Sequence, residues 1–196
     1  MEIIEVIKKG FRIATKAIIL VLVLFAFNVV CTFASMSFTT PEVGVPVTPA
    51  AVVLTIIFLL IRNFIIGGIL GTIKDFVKEG VLKLKEFAKY GLKFYLRLVE
   101  LFLIYVLLIL IVAMIALLIT TITIPFKNTV ATVIYITGVS VVVGIGVYFI
   151  MLLIMSPYVL VVEDVKIIDS IKKSVSFVRN NLGGVIGLLV FFILIV

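Results

Sequence analysis

Long unbroken apolar runs alternate along this chain with short segments in which lysine recurs every three or four positions. Four runs, at residues 17–36, 51–73, 98–124 and 130–155, reach the roughly 20 residues a helix needs to cross a hydrocarbon core of about 30 Å. The second is interrupted by Arg62 and Asn63, and the third is long enough to tilt. A fifth run, 183–196, is apolar to its last residue but holds only 14 positions. The pattern predicts an all-α, polytopic transmembrane helical bundle, one membrane domain over residues 1–196. Five spans are visible, and six are expected in a complete chain.

The segments between runs alternate in character. Residues 37–50 (SFTTPEVGVPVTPA) hold three prolines and no basic residue, and residues 125–128 carry only Lys127. On the other side, residues 1–16, 74–97 and 156–182 hold four, seven and four basic residues. The excess of Lys and Arg on one side predicts a cytoplasmic N-terminus and two cytoplasmic connectors. In 74–97, Val77, Val81, Leu84, Ala88, Leu92 and Tyr95 step along one helical face, and Lys85, Lys89, Lys93 and Arg97 along another. Gly80 and Gly91 are expected to break or bend that helix. Two placements satisfy the pattern: an interfacial amphipathic helix lying among lipid headgroups, or a helix whose apolar face packs on the bundle.

Three of the basic segments align: EVIKKGFRIATK from Glu5, EFAKYGLKFYLR from Glu86 and DSIKKSVSFVRN from Asp169. Each opens on an acid and has a lysine three residues on (Lys8, Lys89, Lys172), then Gly or Ser at the sixth place. Offsets of 81 and 83 residues suggest an internal repeat with units 1–81, 82–164 and 165–196, the third incomplete. Repeats of this kind are common in transporter folds but do not by themselves establish transport.

Composition excludes a soluble domain. Hydrophobic residues make up 64% of the 196, charged residues 14%, and mean hydropathy is +1.46, against about half apolar and a quarter charged in soluble proteins. The net charge of +7 sits between apolar runs, where anionic lipid headgroups are the near partner and nucleic acid is not. Cys31 is alone in an apolar run, so neither a disulfide framework nor a paired-cysteine metal site can be assembled. The absence of Gln beside abundant Ile, Val, Lys and Glu suits a thermophilic prokaryote. Glu2 and Glu5, a long apolar run and no A-x-A site before Ser35-Met36-Ser37 speak against a cleaved signal peptide.

From Met155 the chain reads MSPYVLVVEDVKIIDSIKKSVSFVRNNLGGVIGLLV. This stretch resembles the membrane domain fused to some glycerophosphodiester phosphodiesterases, and its stand-alone prokaryotic relatives of unknown function. Pro157, Glu163 with Asp164, Lys172-Lys173-Ser174 and Asn180-Asn181 fit that pattern. Ser170 stands where Ala is usual and Val175 where Trp is usual. The resemblance implies a six-span bundle and no phosphodiesterase activity, the catalytic domain being absent from this chain.

Among candidate site residues, Arg62 has 11 residues of its run on either side, which predicts a midplane position. A charge there costs about 2.5–3.5 kcal/mol on insertion scales and usually faces the bundle interior. Asn28, Asn63 and Ser140 are expected near the same level. The four make either a midplane site for an anionic group or a purely structural polar cluster. Gly67 and Gly71, like Gly183 and Gly187, form GxxxG faces for close helix packing, within the chain or across a dimer. Gly138, Ser140, Gly144 and Gly146 are read the same way. Lys85, Lys89, Lys93, Arg97, Lys172 and Lys173 are the candidate headgroup contacts. Glu163, Asp164 and Asp169 are read as charge balance, with a helix start at Asp169.

With no His and the acids confined to connectors and, at Glu100, to the end of a span, no catalytic constellation, metal site or cofactor is expected. Three function classes remain: a membrane scaffold or partner-binding subunit, a transporter or channel component using Arg62, and a lipid-handling membrane domain. The first fits best, in the cell membrane, with anionic lipids, further copies or other membrane subunits as partners.

Overall fold

A computed structural model describes residues 3–36, 49–123 and 129–187, and among them every regular element is helical. Helices α1 (Ile3–Lys16), α2 (Ile18–Met36) and α3 (Pro49–Glu79) are followed by a 3₁₀ turn (Leu84–Glu86), α4 (Phe87–Thr123), α5 (Thr129–Leu153), α6 (Ser156–Glu163) and α7 (Ile167–Asn180). Segments Pro49–Glu79, Leu84–Thr123 and Thr132–Glu163 are each long and apolar enough to cross a membrane. Residues 10–16 and 18–34, bent by 81° at Ala17, meet the same test as a pair. Most of the two expected polar turns (37–48 and 124–128) and residues 188–196 of the fifth run lie outside the described residues.

The described helices form two compact units, one within residues 1–98 and the other within 99–186. In the first, α2 meets α3 through Phe27, edge-on to Phe58 at 6.3 Å between ring centroids. Ala17, Leu20, Ile65, Leu70, Phe94 and Leu98 are buried there. In the second, the buried residues include Leu101, Leu152, Leu153, Leu160, Val161 and Val178. Outside these cores the helices expose large apolar side chains, among them Phe33, Leu103, Leu117 and Val133, the surface that a bilayer solvates and water does not.

The connector 74–97 is not one helix. Its first part continues α3 to Glu79, where Gly80 ends the helix with φ +75°, a left-handed conformation that glycine adopts without a Cβ penalty. Its last part opens α4, which runs through Gly91 without a break, correcting the expectation of a second interruption. Gly91 sits where Phe64 needs the space: a Cβ there would lie 2.6 Å from that ring. Of its two expected placements, packing of the apolar stripe on its own unit is not seen. Val77, Val81, Leu84 and Leu92 are exposed, whereas Gly91, Phe94 and Leu98 are buried.

The three aligned basic segments are all helical but leave differently. The first turns sharply into α2, the second continues straight into α4, and the third ends at Asn181 before a further helical stretch at 182–187. α7 starts at Ile167 rather than at Asp169, which lies in its first turn, where a carboxylate meets the positive end of the helix dipole.

Candidate functional site

Two constructions hold polar side chains in fixed geometry, one in each unit. The first is the α3–α4 hairpin. Gly67, Gly68 and Gly71 lie on one face of α3 and are buried against the start of α4. A Cβ at Gly68 would come within 2.7 Å of the Phe87 ring, one at Gly67 within 3.1 Å of Leu98, and one at Gly71 would collide with Cβ of Tyr90. Small residues at this spacing let two backbones approach closely. Phe64 meets Phe87 edge-on at 6.2 Å. Beyond the glycines, the Tyr90 hydroxyl donates to Asp75 Oδ2, joining the two helices. That bond holds the phenol neutral and raises its pKa to about 12. Gly67 and Gly71 thus do pack within the chain, but their neighbours are Leu98, Gly91 and Tyr90. Gly183 has open space where a Cβ would be, and Gly187 ends the described residues.

Arg62 stands on α3 one turn after Phe58, which meets Phe27 of α2. Further along α3, Gly67 meets Gly91 and Leu98 and Gly68 meets Phe87, all in the lysine-bearing start of α4.

The four residues expected near one level have different settings. Arg62 and Asn28 are both exposed. Arg62 follows Phe58 by four residues and Asn28 follows Phe27 by one, on either side of the ring contact between α2 and α3. Asn63 is buried and donates its amide to the Leu59 carbonyl at 2.9 Å. Ser140 is exposed on α5, in the other unit. Of the α5 small residues, Gly146 faces Val112 and Gly138 faces Ile119, both on α4.

The basic residues of the hairpin line its outside. Lys85 and Lys89 are exposed, Lys89 pairing with Glu86 at 2.7 Å. Lys93 lies 5.0 Å from the centre of the Phe94 ring, and Arg97 is half-buried. Across the turn, Lys83 pairs with Glu79. Between α3 and α4, an apolar groove of about 330 Å³ is lined by Ile57, Leu60, Ile61, Phe64, Leu92 and Tyr95.

The second construction is an elbow at Pro157. A helix running on from α5 would bring the N–H of residue 157 to the Leu153 carbonyl, and proline has none. The α-helix stops at Leu153 and a new one, α6, begins at Ser156. The released carbonyls are taken by side chains from elsewhere. The Tyr105 hydroxyl of α4 donates to Leu153 O at 2.6 Å, and Ser174 Oγ of α7 donates to Leu152 O at 2.6 Å. Ser156, Ser170 and Ser174 are fully buried, and the last two, four residues apart, give α7 a flat face against the elbow. Lys173 of α7 pairs with Glu163 at the end of α6. The motif Pro157 … Lys172-Lys173-Ser174 thus has a structural content: each end caps or clamps the other. Sequence reasoning missed Tyr105, Tyr90 and Asp75. The legible signals were the missing donor of Pro157 and an acid and a tyrosine on opposite sides of the helix stop at Gly80.

Compared with known families, the whole chain, residues 1–196, matches one described as a domain of unknown function, DUF7847. The chain belongs to the DUF7847 family. No curated protein and no solved structure matches it. DUF7847 is thus, in this chain, an all-helical domain with, among the described residues, three to four helices apolar and long enough to span a membrane, a glycine-packed hairpin and a capped proline elbow.

Proposed function

We propose that this DUF7847 chain is a non-enzymatic, multi-pass scaffold of the cell membrane, its N-terminus cytoplasmic, which holds a protein partner at the inner leaflet. The observation that carries this reading is the α3–α4 hairpin. Locked by three glycines and the Tyr90–Asp75 bond, it exposes Val77, Val81 and Leu84 at its tip. Aliphatic side chains held out on a rigid support within a lysine-rich connector make a binding surface of low ordering cost. Site-specific photocrosslinking from Val81 in native membranes tests it. A discrete protein adduct, lost on Val77→Asp with Leu84→Asp, is expected; adducts to lipid alone would overturn the reading.

A lipid-handling role has support of its own. The grooves beside α4 are apolar, including one of about 390 Å³ in the second unit lined by residues such as Leu108, Val112, Val142 and Phe149. The likeness of residues 155–190 to the membrane domain fused to glycerophosphodiester phosphodiesterases points the same way. An anionic-substrate site at Arg62 for a transporter has less support, because Arg62 and Asn28 stand apart and Asn63 bonds to its own helix.

A further inference from the structure

α7 presents a second face that neither the elbow nor the hairpin uses. Its buried side is Ser170, Ser174 and Val178. Next to that side, Ile168 is exposed and Ile171 and Val175 are half-buried, and beyond them Lys172 and Arg179 are exposed. A groove of about 580 Å³ runs along this flank, lined by Ile171, Lys172, Val175, Ser176, Arg179 and Asn180. Lys172 and Arg179 are seven residues apart, so they stand on one face about 10 Å from each other. Among the described residues neither has an ion-pair partner, whereas Lys173 is held by Glu163.

We infer that this flank of α7 is a binding site for an anionic glycerophospholipid of the inner leaflet. Its phosphate lies on Lys172 and Arg179, and its upper acyl chain on Ile171 and Val175. The charge is complementary to an anionic headgroup and the floor is apolar, the two requirements of a helix that lies at a membrane surface. The elbow supplies the placement: capped by Tyr105 and Ser174, it fixes α7 where α5 ends. The cation pair is therefore Lys172 with Arg179, and not Lys172 with Lys173 as sequence proximity suggests.

The test is native mass spectrometry of the full chain released from bilayers of phosphatidylcholine with phosphatidylglycerol. Wild type is expected to retain phosphatidylglycerol selectively. Lys172→Gln with Arg179→Gln should lower that retention by about 30-fold, the factor two surface cations supply against an anionic leaflet. Lys173→Gln should leave it unchanged, and Lys172→Arg with Arg179→Lys should keep it. The melting temperature of each variant separates lost binding from lost fold, both cations being exposed. Equal losses in the Lys172/Arg179 and Lys173 variants would overturn the site in favour of diffuse charge. Displacement of the lipid by millimolar inorganic phosphate would overturn it in favour of a soluble anion.

Discussion

Tyr105 and Tyr90 each place a phenol hydroxyl on an acceptor in another helix, with different consequences. Tyr105 donates to the Leu153 carbonyl that Pro157 leaves free. Tyr105→Phe removes the donor and keeps the ring, so the half-buried site loses about 1 kcal/mol. A lower unfolding midpoint in detergent is the expected result, and an unchanged one would show that the carbonyl finds another partner. Tyr90 donates to a carboxylate, and its pKa of about 12 lies above the ordinary value of 10.0. The neutral phenol is the form the fold favours, so its contribution is complete below pH 10 and fades as pH rises toward 12. Phenolate absorbance should show one fewer late-titrating tyrosine in Asp75→Asn than in the wild type; an unchanged number contradicts the assignment.

Helices and their breaks were legible to different degrees. Apolar run length found α2, α3, α4 and α5, because a bilayer demands about 20 apolar residues whatever packs around them. Gly80 was legible because positive φ is a local matter. Gly91 was misread, because a glycine in a helix serves either as a break or as a point of close approach, and only the ring of Phe64 decides between them. The α3–α4 register was not legible for the same reason: pairing depends on which small residues face which rings. Gly71→Ala tests it, since the added Cβ meets Tyr90 at its own Cβ and the helices must separate. A loss of about 1–3 kcal/mol is expected, against no more than a few tenths for Gly183→Ala, which adds a methyl to open space. Equal effects at the two positions would contradict the packing.

For the molecule as a membrane object, the decisive quantity is where hydrocarbon ends along α3. Counting from the ends of the apolar run puts that boundary at Ile73 and Arg62 at the midplane. The basic start of α4 packs on Gly67, Gly68 and Gly71; in the orientation we propose its lysines lie among headgroups, which would move the boundary to about Gly68 and leave Arg62 near it. The cost of the arginine then falls below its midplane value, and the hairpin beyond Gly68 becomes a structure in water. Single cysteines at Ile57 and Ile69, with Cys31 replaced by alanine, measure this directly by reaction with a membrane-impermeant maleimide in inside-out vesicles. Rapid labelling at Ile69→Cys with none at Ile57→Cys is the expected pattern. Protection of both, with labelling beginning only at Lys74→Cys, would contradict it.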